Sequence, residues 1–108
     1  MFVSSTAAQG VVSSETRIRF VQQGDRVVGS YRGGNVRRGC LAGRLQGARL
    51  RFRYLQREAS GEIHGGNSIC DVVQLPDGRI RILEHFTWRT RQGSGTNVFD
   101  EFYRETAT

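Results

Sequence analysis

Glu84 lies in the stretch RIRILEHFTWRT, residues 79 to 90, where Ile80, Ile82, Phe86 and Trp88 share its side of an extended chain. A carboxylate on an apolar face has its charged form disfavoured, so it must find a partner or serve as an acid–base group. The dipeptide Asp77-Gly78 suits a two-residue type I′ turn, whose central positions both need positive φ. That turn sets Leu75 opposite Ile80, Val73 opposite Ile82 and Ile69 opposite Phe86. Sliding by one residue would pair Ile80 with Gln74 and Phe86 with Ser68 and exchange the faces, so burial favours the first register. In that register Asp71 faces Glu84 and Asn67 faces Trp88. Two buried, facing carboxylates could share one proton, as acid–base sites do. The structural alternative is an inward arginine, since Arg104 reaches Glu84 if the last hairpin turns about Ser94. Glu84 is thus read first as a salt-bridge or hydrogen-bond partner, then as a ligand contact, and last as the one candidate for catalysis.

The same register sets Cys70 opposite His85 on the outer side, a thiolate–imidazole pair with no third group to orient it. His64 and His85 do not oppose one another, so no three-ligand metal set forms and no metal or cofactor is implied. Tyr31 and Tyr54 place hydroxyls on mainly apolar faces and, with Trp88, could line a ligand cavity or simply fill the interior. The candidate ligand-binding set is therefore Glu84 and Trp88, with Tyr31, Tyr54, Asn67 and Asp71 as lining.

The elements that must position these groups follow from the punctuation by Gly, Asn and Asp. Eight strand-length segments result: Phe2–Ser5, Ser13–Gln22, Arg26–Arg32, Val36–Leu45, Ala48–Arg57, Glu62–Leu75, Arg79–Arg91 and Thr96–Arg104. Gly24-Asp25, Gly33-Gly34-Asn35, Gln46-Gly47, Ser60-Gly61, Asp77-Gly78 and Gly93-Ser94-Gly95 separate them as hairpin turns. In ARLRFRYLQR, Leu50, Phe52 and Tyr54 point one way while Arg49, Arg51 and Arg53 point the other, so one face is dry and one wet. No apolar 3.6-residue period supports a helix. The fold class is all-β, a single domain over residues 1–108. At about eight strands an antiparallel up-and-down β-barrel removes the exposed edges; a β-sandwich is the alternative.

The net charge is +6, and all 16 basic residues are arginine. Outward Arg49, Arg51, Arg53, Arg79, Arg81 and Arg89 could bind a polyanion, but the alternating aromatics point inward, where bases cannot stack, so a solvated face is preferred over a nucleic-acid surface. The start MFVSSTAAQGVVSSETR lacks the pattern of a secretion signal, and no run reaches the ~20 apolar residues of a membrane span. Two cysteines suit free thiols in a cytoplasmic protein, and the strand between Cys40 and Cys70 holds them about 9–10 Å apart, beyond disulfide reach. The wet face leaves room for a homodimer.

The runs GDRVVGSYRGGNVRRGCLAG, LRFRYLQREASGEIHGG and LPDGRIRILEHFTWRT, in this order, resemble a group of small bacterial proteins commonly called N-acetylglutamate synthases. The resemblance covers most of the chain from Phe20 onward and is most specific at Gly29–Gly34 and in the run ending at Trp88. Glu84 and Trp88 match its pattern, whereas Asp71 does not. That group is similar to the lipocalin and avidin class of closed barrels, which implies a calycin-like fold. Acetyl transfer of the synthase type would call for a Gln/Arg-x-x-Gly-x-Gly/Ala loop before a helix to hold coenzyme A, and no segment supplies it in full. The sequence therefore leads to a barrel that binds an apolar or weakly polar small molecule. An enzyme using Glu84 and a polyanion-binding module are the alternatives.

Overall fold

In the computed structural model, which describes residues 2–6 and 15–101, the chain runs as eight antiparallel strands that close into a barrel in sequence order. The strands are β1 (Phe2–Thr6), β2 (Arg17–Gln23), β3 (Arg26–Gly33), β4 (Val36–Gln46), β5 (Arg49–Glu58), β6 (Ile63–Gln74), β7 (Ile80–Trp88) and β8 (Ser94–Asp100). Each of the six hairpins from β2 to β8 carries a glycine at positive φ in its turn, from Gly24 to Gly93. The barrel is completed by β1, which pairs along β8 from Phe2↔Asp100 to Thr6↔Asn97 and touches β2 at Phe2↔Arg17. Closure decides against the sandwich. Among the described residues no helix is long and apolar enough to cross a membrane.

Strand alternation puts one residue in two inside. On β5, Leu50, Phe52, Tyr54, Gln56 and Glu58 are buried while each intervening residue is exposed. Ile18, Val27, Tyr31, Leu41, Ile82, Phe86, Trp88 and Phe99 complete most of the core. Two tyrosines need glycine floors: a methyl group on Gly39 would overlap the Tyr31 ring, and one on Gly66 the Tyr54 ring. These glycines let bulky polar-tipped rings lie across a narrow interior.

The β6–β7 register differs from the one expected. Gln74 pairs with Ile80, Ser68 with Phe86, and Cys70 with Glu84. The cause is Pro76. The Gly78 amide donates to the Leu75 carbonyl and the Leu75 amide to the Arg79 carbonyl, so the loop holds three residues, with Pro76 second in the turn and Gly78 at φ +90° as its bulge. Asp77 Oδ1 accepts from the Arg79 amide and fixes the loop. The extra residue turns Asn67, Ile69, Asp71 and Val73 outward and Ser68, Cys70 and Val72 inward. The last hairpin also differs, because Thr87 pairs with Ser94 and Glu84 with Asn97. Its turn spans residues 89–93, so Ser94 and Gly95 belong to the strand and Asn97, not an arginine, meets Glu84. Arg104 lies outside the described residues.

Candidate ligand site inside the barrel

Glu84 stands in the middle of β7 with its side chain in the interior, 5% exposed, flanked by Cys70 on β6 and Asn97 on β8. The Ser68 hydroxyl donates to Oε2 at 2.5 Å, and Asn97 Nδ2 donates to Oε1 at 2.8 Å. Burial pushes the Glu84 pKa up, against the smaller opposing effect of these two hydrogen bonds. Among the described residues its hydrogen-bond partners are these two neutral donors. The inward serine that the rejected register exposed to Phe86 is thus the group that Glu84 needs.

A second polar chain runs toward the end of the barrel where β3–β4, β5–β6 and β7–β8 turn. Tyr31 donates to Gln56 Oε1 at 2.8 Å, Gln56 Nε2 donates to Glu58 Oε2 at 2.9 Å, and Arg91 donates to Glu58 Oε1 at 2.6 Å. The Arg91 guanidinium lies 4.5 Å above the Trp88 ring, within cation–π range. Trp88 in turn meets Tyr54, Phe86 and His64 edge to face, with centroids 5.4, 5.8 and 6.2 Å apart. Arg91, Glu58 and Trp88 together make a clasp over this end.

Between the two polar groups is a cavity of about 30 Å³, bounded by Tyr31, Tyr54, Gln56, Glu84, Trp88 and Asn97 together with Ile18, Leu41, Phe52, Phe86 and Phe99. It is large enough for about two waters, each of which needs roughly 10–15 Å³ of such space. The Tyr54 hydroxyl borders it, buried and without a hydrogen-bond partner among the described residues. Burial, then the nearby Glu84 carboxylate, raises the pKa of both tyrosines, so each remains a neutral donor.

The structure brings Glu84, Trp88, Tyr31 and Tyr54 together, as expected from the sequence. Asn67 and Asp71 are not among them: Asn67 is exposed, and Asp71 faces outward and pairs with Arg49 at 3.4 Å. The carboxylate dyad is therefore dissolved. So is the thiolate–imidazole pair, since Cys70 is inside against Glu84 and His85 outside against Ile69. Burial raises the Cys70 pKa and keeps the thiol protonated. Sequence reasoning missed Ser68, Gln56 and Asn97. Gln56 could have been found, because it continues the inward alternation of Leu50, Phe52 and Tyr54. Ser68 and Asn97 depended on registers that the turns set. Glu58, Glu62 and His64 also lie close enough for one cation, but Glu58 is already held by Arg91 and Gln56, and His64 Nδ1 lies 2.8 Å from Thr90 Oγ1.

The chain matches the model of the avidin-like protein family over residues 1–102. It belongs to the avidin-like family. Membership and the closed meander agree, and both fit the calycin-like class that the sequence motifs resemble. No curated protein and no solved structure matches significantly. Within this avidin-like barrel, the buried polar groups concentrate in the middle and at the clasped end.

Proposed function

We propose that this protein is a cytoplasmic small-molecule-binding barrel whose ligand places a weakly polar group against Tyr54, Glu84 and Asn97. The observation that carries the reading is the Tyr54 hydroxyl, buried without a partner among the described residues on the wall of a cavity otherwise lined by satisfied polar groups. A buried hydroxyl without a partner costs about 1–3 kcal/mol, which a ligand acceptor or a water would recover. Family membership supports the same reading. An uncharged ligand is favoured, because an ion would have to shed its hydration beside a carboxyl whose own charge is disfavoured. The cavity takes the polar end alone; the body of the ligand replaces part of the aromatic wall, with Trp88 and Arg91 moving as the clasp opens. Two free thiols, Cys40 exposed and Cys70 buried, support a reducing compartment.

Native mass spectrometry of gently purified protein tests this directly. A mass excess that disappears on denaturation is expected, and Tyr54→Phe and Glu84→Gln should each reduce the occupied fraction while the fold, followed by circular dichroism, is retained. A bare mass in repeated preparations, with no melting shift across a panel of neutral small molecules, would overturn the reading.

A further inference from the structure

On the outer wall, five arginines gather where β2, β3 and β4 meet. Arg17, Arg19, Arg32, Arg37 and Arg38, with Ser30, line a groove of about 640 Å³. Strand pairing sets Arg17 directly opposite Arg32, and Arg19 opposite Ser30. Arg37 and Arg38 come from an irregularity. Val36 and Gly39 are both buried with two exposed residues between them, and the β4–β5 register shifts at this point. A bulge of this kind re-aims side chains, and here it puts consecutive arginines on one face of a strand that otherwise alternates.

Five arginines outside the groove supply a contrast. Arg44, Arg49, Arg79, Arg81 and Arg91 each meet a carboxylate. Three members of the outward band expected from the sequence, Arg49, Arg79 and Arg81, are thereby neutralised. Arg19, Arg32, Arg37 and Arg38 are exposed, and among the described residues they meet no carboxylate and no acidic side chain lines their groove. Guanidinium forks crowded together without counter-charge repel one another, and an anion that accepts from several of them relieves that repulsion.

We propose that this groove binds a small, multiply charged phosphate compound through its phosphoryl oxygens. Arg32 and Arg38 grip it from β3 and β4, Arg19 and Arg37 flank it, and Ser30 donates a neutral hydrogen bond. The volume falls in the range of small-molecule sites. Among the described residues the one aromatic that borders the groove is Tyr31, and its hydroxyl end is turned inward to Gln56 rather than offered for stacking, so recognition is of phosphate rather than of a nucleic-acid strand. This site lies on the outer face of the sheet and does not depend on the interior site.

Isothermal titration of the full chain with inorganic triphosphate, at low and at raised salt, is the test. Saturable one-to-one binding is expected. The pair Arg32→Gln and Arg38→Gln should weaken it about tenfold or more, since charged hydrogen bonds of this kind each carry about a tenfold factor in affinity. The pair Arg51→Gln and Arg53→Gln removes the same charge from exposed positions on β5 and should change affinity by less than about twofold. Unchanged thermal melting of both variants would show that the fold is intact. Equal weakening by the two pairs would reduce the effect to net charge and overturn the proposal. So would the absence of saturable binding at low salt, or tighter binding of single-stranded RNA than of triphosphate.

Discussion

At the end of the barrel where β2–β3, β4–β5 and β6–β7 turn, an open hollow of about 740 Å³ is lined mainly by apolar side chains, Phe20, Val27, Leu45, Leu50, Val72 and Ile80 among them, with Arg19, Gln22 and Glu101 also bordering it. At the opposite end the interior holds Gln56, Glu58, Trp88 and Arg91, joined by hydrogen bonds and a ring–cation contact that leave only the small central cavity. Both ends are built by the same inward alternation. The difference lies in what secures them. Apolar burial is non-directional and tolerates a hollow, whereas a polar chain under a rim must be complete, because each missing partner leaves a desolvated group behind.

Substitutions should separate the two kinds of closure. The largest effect is expected where the apolar half meets the cavity, at Phe99, which is 2% exposed and pairs across to Ile82. Phe99→Ala should lower unfolding free energy in urea by about 3–5 kcal/mol, the usual cost of removing a buried ring and leaving a void. Breaking the clasp should cost less. Arg91→Ala leaves Glu58 buried with Gln56 alone, but the Arg91 side chain is 28% exposed, so about 2 kcal/mol is expected rather than the 3–5 of a fully buried pair. If the clasp guards the interior, the same variant should also speed exchange of a bound small molecule in a stopped-flow measurement. An equal loss from Phe99→Ala and Arg91→Ala would erase the distinction between the ends.

A subtler effect belongs to Glu84 and shows as a slope in pH. Its folded pKa is raised by burial, so the folded state holds the proton more tightly than the unfolded chain does. Its contribution to stability is full below the unfolded value of ~4.3 and is lost as pH rises through the folded value. Glu84→Gln should flatten that decline in urea melts taken from pH 4 upward. A decline of unchanged steepness would place the responsible proton elsewhere. The smallest effect is expected at Asp71→Asn. The Arg49 pair it breaks has side chains about half exposed, 54% and 48%, and should contribute less than about 0.5 kcal/mol in the same melts. A large loss there would revive an interior role for Asp71.

How much could be read from the sequence depended on the strand. β5 is legible because Leu50, Phe52 and Tyr54 alternate with three arginines that no interior would accept. The hairpin turns are legible through their glycines, and Glu84, Trp88, Tyr31 and Tyr54 were correctly placed on inner faces. β6 was not legible, for a physical reason. Its outward residues include Ile69 and Val73, 46% and 38% exposed, while its inward ones include Ser68 and Cys70, so hydrophobicity indicates the wrong face. Inside, small residues are needed opposite Phe52 and Phe86, and a hydroxyl is needed for Glu84. Pro76 carried the missing signal, since its fixed φ favours the second position of a type I turn and thereby adds the residue that sets the register. The arginine groove escaped for a related reason, because a bulge cannot be read from alternation.

The strand order also bears on how the chain folds. Six of the ladders are hairpins closed by short turns, each a local event that requires little loop entropy. The β1–β8 ladder is different, joining Phe2 to Asp100 across nearly the full length of the chain. The largest loop-closure cost of the fold is therefore concentrated at this one seam, whereas the ladders from β2 to β8 join neighbours in sequence.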